Sequence, residues 1–164
     1  KLGVTYFRGK TLKKDVSKAA QWLLLAAEQG SLGAQYLVAR MFYSGQGLDK
    51  SFIKALNWFR RASKTGDVHA RYFIGLMHLR GEGTPKNENK AYKWFRIASD
   101  QGDPWAKYRL ARMTWFGMGT PRNQKRAREL ALEASRVAQD PSLALAIDKF
   151  LRITRLDGSP PASE

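Results

Sequence analysis

Cysteine is absent from the 164-residue chain, which excludes disulfides, thiolate metal sites and cysteine nucleophiles together. Histidine is scarce: His69 and His78 are the two present. Nine residues apart on one expected helix, they point about 180° away from each other by the helical period and cannot share a metal. No apolar run approaches the ~18 residues of a membrane span, and no signal peptide is visible. Lys1 is not an initiator residue, so a processed or trimmed chain with an upstream extension is expected. Neither HExxH nor G-x-S-x-G occurs, and no serine has an evident His–Asp partner.

Acidic residues are also few. Fourteen Asp and Glu stand against twenty-nine Lys and Arg, a net charge of +15, enough to favour anionic partners through the long-range field. Basic residues exceed acidic ones in each of the stretches 1–31, 32–67, 68–103 and 104–139, and only 140–164 is slightly acidic. No basic tail exists, so the charge belongs to a folded surface. The hydrophobic content of 43% with 12% aromatics fits a packed core of one ordinary domain.

A repeat organises the chain. Gly30, Gly66 and Gly102 recur at a step of 36 residues, as do Ala34, Ala70 and Ala106, Tyr36, Tyr72 and Tyr108, and Met41, Met77 and Met113. The pairs Gly45 with Gly47, Gly81 with Gly83 and Gly117 with Gly119 follow the same step. So do Ala19, Ala55, Ala91 and Ala127, and Trp22, Trp58 and Trp94, with Leu130 in the fourth place.

Each repeat reads as two helices. The first, around Leu32 to Ser44, sets Ala34, Val38 and Phe42 on one apolar stripe at i, i+4, i+8. The second, around Phe52 to Lys64, sets Ala55, Trp58 or Phe59, and Ala62 at helical spacing. Gly-x-Gly separates the two, and Gly66 or Gly102 ends the second where a left-handed residue is wanted. Asp103-Pro104 opens the next helix with an N-cap acceptor and a proline at the first position. Asp140-Pro141 opens a last helix over 141–156, and 157–164 reads as a flexible tail. Small residues at Ala39, Gly75 and Ala111 let helices approach closely, and the tryptophans are expected to fill the space between successive repeats. A helical pair cannot bury its stripe alone, so the repeats must stack into a solenoid. Strand-like alternation is absent, and the fold is expected to be all-α.

These columns resemble Sel1-like repeats, relatives of the tetratricopeptide repeat with a longer loop between the helices. The run from Ala70-Arg71-Tyr72 through Gly75-Leu76-Met77, then Gly81-Glu82-Gly83, then Lys90-Ala91 through Trp94 to Ala98 and Gly102, is close to the family pattern. The resemblance covers residues 1–139: a partial copy over 1–31, full copies over 32–67 and 68–103, and a diverged copy over 104–139. It implies a right-handed α/α superhelical solenoid spanning 1–156, with 141–156 as a capping helix. It also implies an adaptor that binds proteins or peptides, and a monomer without membrane insertion is expected. Family members in bacteria are often exported, which favours a bacterial envelope protein.

Chemistry finds little support. Gly81-Glu82-Gly83-Thr84-Pro85-Lys86 looks like a phosphate loop in isolation. Such a loop follows a strand and occurs once, whereas this one follows a helix and recurs three times, as a turn would. Glu129 and Glu133, at i, i+4 with Arg126, Arg128 and Arg136 nearby, read as charged partners on a solvated helix. Cysteine-rich members of the family have been linked to antibiotic hydrolysis, and this chain has no cysteine. No enzyme, cofactor or metal is expected.

In tetratricopeptide-like solenoids the first helix of each repeat lines the concave groove. That analogy places Arg8, Arg40, Tyr43, His69, Tyr72, Leu76, Arg80, Trp105, Tyr108, Arg112 and Phe116 on a partner-binding face, with Val4, Phe7, Tyr36, Ser44, Leu79 and Trp115 beside them. Aromatic rings next to guanidinium groups suit an acidic peptide or protein surface with apolar anchors. The alternative is an anionic polymer, nucleic acid or an acidic cell-envelope polysaccharide, held by the same residues. Arginine recurs in these columns at twice the structural step: Arg40 and Arg112 in one, Arg8 and Arg80 in the other. That pattern reads as a zigzag of anion contacts along an extended ligand.

Overall fold

A computed structural model describes residues 16–156. Among them the regular structure is helical throughout, with eight helices: α1 (Val16–Glu28), α2 (Leu32–Ser44), α3 (Phe52–Lys64), α4 (Val68–Arg80), α5 (Glu88–Asp100), α6 (Pro104–Phe116), α7 (Gln124–Val137) and α8 (Pro141–Leu156). The tail expected over 157–164 lies outside the described residues.

Local signals at the 36-residue step explain the helix ends. Asp67 and Asp103 cap α4 and α6 by accepting hydrogen bonds from the Ala70 and Ala106 amides, both at 2.7 Å. Pro104 occupies the first position of α6, where its missing N–H costs nothing. Ser51, Asn87 and Asn123 cap the second helices α3, α5 and α7 in the same way. Gly45, Gly81 and Gly117 end the first helices in the left-handed region and donate their amides to Met41, Met77 and Met113. Backbone crowding dictates the second glycine of each loop. A Cβ on Gly83 would stand 2.6 Å from the backbone carbonyl carbon and oxygen of Phe52, so this loop lies against the first turn of α3.

The chain divides into two compact units at Lys86 and Asn87. In the first, α1 packs on α2, α2 on α3, and α3 on α4. In the second, α5 packs on α6, α6 on α7, and α7 on α8. The stripe Ala34, Val38 and Phe42 is buried, as are its counterparts Ala70 and Ile74 on α4 and Ala106 and Leu110 on α6. Ala39, Gly75 and Ala111 are buried where helices approach.

The tryptophans depart from expectation. Trp22 is 48% exposed, and Trp58 and Trp94 are half-buried. The column one residue further, Leu23, Phe59, Phe95 and Ala131, is the buried one. Geometry gives the reason: Ala55, Phe59 and Ala62 lie at i, i+4, i+7 on one face, and Trp58 falls at its edge.

Helix α8 is built like the first helix of a repeat. Counted from the caps Asp103 and Asp140, its buried Leu143, Ile147 and Phe150 take the places of Ala106, Leu110 and Met113. The step here is 37 residues because α7 has 14 residues where α3 and α5 have 13.

Candidate partner-binding face

In the first compact unit, α2, α3 and α4 carry an aromatic cluster with guanidinium groups at its edge. Phe59 and Phe73 stack with centroids 4.9 Å apart. Tyr36 and Tyr43 meet both rings at 5.6 to 6.4 Å, and Tyr43 also meets Phe52 edge-on at 5.3 Å. The exposed Arg40 lays its guanidinium 5.0 Å from the Phe73 centroid and donates to the Tyr36 hydroxyl at 3.2 Å. No carboxylate among the described residues pairs with it. His69 is exposed, 6.0 Å from the Tyr36 ring, and Tyr72 is half-buried, edge-on to Phe73.

Arg80 is differently placed. It donates to the Tyr43 hydroxyl at 3.0 Å, and Tyr43 donates to the Glu82 carboxylate at 2.7 Å. Arg80 and Glu82 themselves stand 3.9 Å apart. Burial first, and then the hydrogen bond to Glu82, push the Tyr43 phenol above its ordinary pKa. The middle residue of Gly81-Glu82-Gly83 thus supplies Arg80 with an anion from within the chain.

In the second unit α8 covers much of the corresponding part of α6. Tyr108 donates to the Ala146 carbonyl at 3.2 Å. Phe150 meets Tyr108 and Trp115 edge-on at 6.1 and 5.9 Å. The half-buried Trp105 reaches Asp140, whose carboxyl is held below its ordinary pKa by hydrogen bonds from Ser142 first and Trp105 among the lesser causes. Arg112 and Phe116 are half-buried.

Three residues expected on or beside the binding face are core residues, among them Trp115 at 1% exposed. Tyr108 is 7% exposed and Leu76 is 6% exposed, Tyr108 because α8 lies over it. Arg8 falls outside the described residues. Phe73, Phe52 and Glu82 belong to the cluster and were missed by reasoning from columns, because they do not recur. Phe73 stands where the neighbouring repeats have Leu37 and Arg109, and Glu82 where they have Gln46 and Met118. An aromatic or acidic residue breaking its column was the available signal.

The carboxylates Glu129 and Glu133 are engaged as expected on a solvated helix. Arg126 reaches them at 3.1 and 3.3 Å. Lys107 on α6 adds a contact to Glu133 at 3.2 Å, the main cause holding that carboxyl below its ordinary pKa. Among the described residues no group of three or more His, Cys, Asp or Glu could hold a metal ion, and no helix is long and apolar enough to cross a membrane.

The Sel1 repeat family model matches residues 1–31, 33–67, 68–103 and 106–137. The chain belongs to the Sel1 repeat family. Its helices superpose on a Sel1 repeat protein from Oxalobacter formigenes with a TM-score of 0.78 at 28% identity, over 90% of this chain and 60% of that one. A second solved structure is c5321, a protective antigen of uropathogenic Escherichia coli with an SLR fold (TM-score 0.78, 26% identity, 93% of this chain and 37% of that one). The cysteine-rich protein B of Helicobacter pylori shares the fold at 22% identity and a TM-score of 0.61, over 84% of this chain and 98% of that one. The chain spans 60% and 37% of the first two proteins. No curated protein matches it. The all-α solenoid class of helix-turn-helix repeats follows from these neighbours and from the helices themselves. Sel1 repeats are protein-interaction scaffolds, generally without enzymatic activity.

Proposed function

We propose that this Sel1 repeat chain is an adaptor that binds an acidic peptide or acidic protein surface on its first-helix face. The observation that carries the reading is Arg40: exposed, fixed over Phe73, hydrogen-bonded to Tyr36, and without a carboxylate partner among the described residues. A guanidinium held on an aromatic platform has lost rotamer freedom before binding, and its remaining N–H edges fit a carboxylate in bidentate geometry. Tyr43 and Tyr72 meet the Phe73 ring beneath it, and His69 meets the Tyr36 ring beside it. Arg112 and Phe116 on α6 offer the same residue types in the second compact unit. Arg80 contributes less, since Glu82 and Tyr43 already engage it.

Selection of displayed peptides on the full chain, followed by titration of a selected peptide, tests this. Selected sequences should combine Asp or Glu with an apolar anchor. Arg40→Glu should weaken binding about 30-fold, on the order of 2 kcal/mol, and the exposed second-helix change Arg96→Glu less than about threefold. Equal losses would move the binding surface off the first helices. The net charge of +15 favours a second reading, an anionic polymer as ligand. A polymer would lose orders of magnitude in affinity between about 50 and 200 mM salt, whereas an aromatic-anchored peptide would lose less.

A further inference from the structure

On the second-helix side of the first compact unit, a cleft of about 660 Å³ opens between the end of α1 and the face of α3. Lys54, Trp58, Arg60, Arg61 and Lys64 line it, with Glu28 as the one acidic residue. Four cations against one carboxylate leave it strongly positive. Its size is that of a small-ligand site. Arg61 stacks its guanidinium 4.6 Å from the Trp58 ring, which fixes the plane of the group and leaves its N–H edges open to an oxyanion. No carboxylate among the described residues pairs with Arg60, Arg61 or Lys64.

Repeat stacking does not require Arg61 or Lys64. One step away, the column of Arg61 holds Leu25 and Ile97, and that of Lys64 holds Glu28 and Asp100. Nor is the pair needed to offset the helix macrodipole. Helix α5 ends in the same conformation as α3 with no basic residue in its last turn, while α3 has both Arg61 and Lys64 there. Lys54 recurs one step away as Lys18 and Lys90, and Arg60 as Arg96, so it is Arg61 and Lys64 that set this repeat apart from its neighbours, around the indole that stacking leaves half-exposed.

We propose that this cleft is a binding site for a soluble ligand bearing a phosphoryl or pyrophosphoryl group. A single carboxylate would leave most of the positive charge unmatched. A phosphoryl group brings about two charges and three acceptor oxygens, which Arg61 can grip in a bidentate manner with Arg60 and Lys64 within one turn of it, while Lys54, over the Phe42 ring at 5.4 Å, adds charge at the far end of the cleft. The site lies on other side chains than the proposed peptide face, so the two stand or fall separately.

Inorganic pyrophosphate is the probe, titrated into the full chain while the indole N–H signals of the tryptophans are followed by NMR. Saturable binding below about 1 mM, with the Trp58 signal moving most, is expected. The double variant Arg61→Ile with Lys64→Asp installs residues the next repeat already carries at those places, so the fold has a precedent for them. It should lose at least tenfold in affinity. The pair Lys93→Ile with Arg96→Asp makes the same charge change outside the lining and should lose less than threefold. Trp58→Leu, a side chain with its precedent in Leu130, should weaken binding several-fold by releasing Arg61. Equal losses in the two double variants, or no saturation, would overturn the site. Binding to phosphatidylglycerol vesicles without binding to pyrophosphate would overturn the soluble ligand. Arg40→Glu should leave pyrophosphate affinity within threefold; an equal loss there would merge the cleft with the peptide face and overturn their independence.

Discussion

Phe59 on α3 and Phe73 on α4 lie face to face, their ring planes 5° from parallel and their centroids 4.9 Å apart. The stack joins the end of one repeat to the start of the next and forms the floor on which Tyr36, Tyr43 and Arg40 rest. Phe59 is wholly buried, whereas its neighbour Trp58 is not. Phe59→Ala should therefore cost about 3–5 kcal/mol, and Trp58→Ala only about 1 kcal/mol. Urea unfolding followed by far-ultraviolet circular dichroism measures both. A larger cost for Trp58 would reverse the assignment of the core column.

The glycines separate conformational strain from crowding. Gly66 has a φ of +96° and nothing within 4 Å of the place a Cβ would occupy, so Gly66→Ala should cost about 1 kcal/mol, the left-handed penalty alone. Gly83 has a φ of +68° and the Phe52 backbone at 2.6 Å. Backbone cannot rotate away as a side chain can, so Gly83→Ala should cost about 3 kcal/mol or more. Similar midpoints for the two variants in urea would contradict the close approach of the loop to α3.

Tyr43 gives a prediction at alkaline pH. Its phenol is held above the ordinary value of 10.0 in the folded chain, so between the unfolded and folded values the native state binds more protons. The contribution of Tyr43 to stability is thus complete below about pH 10 and is lost as pH rises through the folded value. Tyr43→Phe should cost about 1 kcal/mol at pH 8 through the lost hydrogen bonds to Glu82 and Arg80. Above pH 10 that difference should shrink. A difference constant from pH 8 to pH 11 would show that the phenol titrates alike in both states.

Much of this architecture was legible because stacking repeats the same demand every 36 residues. The helices over Leu32–Ser44 and Phe52–Lys64, the left-handed glycines and the Asp103-Pro104 start all answer demands that recur. Periodicity alone could not rank Trp58 against Phe59, since adjacent residues on a helix differ by about 100° and both columns recur as large side chains. What sequence columns hid were residues that serve one place only. Phe73 under Arg40, Glu82 beside Arg80 and Lys107 beside Glu133 each depend on a partner brought in by packing. Tyr108 reads from the columns as a binding residue because an aromatic ring on a first helix looks available until α8 is laid against it.

Lys107 and Glu133 link α6 to α7 at 3.2 Å, with both side chains partly exposed. A double-mutant cycle with Lys107→Met and Glu133→Gln should give a coupling of about 0.5–1 kcal/mol at neutral pH. The Glu133 carboxyl is held below its ordinary value of 4.5, so its contribution is present above about pH 4.5 and is lost as pH falls through the lower folded value. The coupling should vanish near pH 2 and weaken in 1 M salt. A coupling that survives at pH 2 would have to come from packing rather than charge.

Phe150 tests whether α8 is joined as a repeat's first helix would be. It is 5% exposed and meets both Tyr108 and Trp115 edge-on. It also occupies the place that Met113 holds one repeat earlier. If α8 were an incidental appendage, Phe150→Ala would cost a few tenths of a kcal/mol and leave Trp115 buried. The burial instead calls for about 3–5 kcal/mol, because the ring's removal leaves a void between α6 and α8 that a helix pair cannot close by rotating one side chain. Phe150→Met places at 150 the residue that the recurring column uses, and it should restore all but about 1.5 kcal/mol. Trp115 reports the same event optically. Its indole is 1% exposed, so acrylamide should quench it poorly in the parent chain and in Phe150→Met, and measurably better in Phe150→Ala. To isolate that signal, the tryptophans at 22, 58, 94 and 105 are replaced by phenylalanine in all three chains. Quenching unchanged by Phe150→Ala, together with a small loss of stability, would show that α8 does not complete the hydrophobic packing of α6.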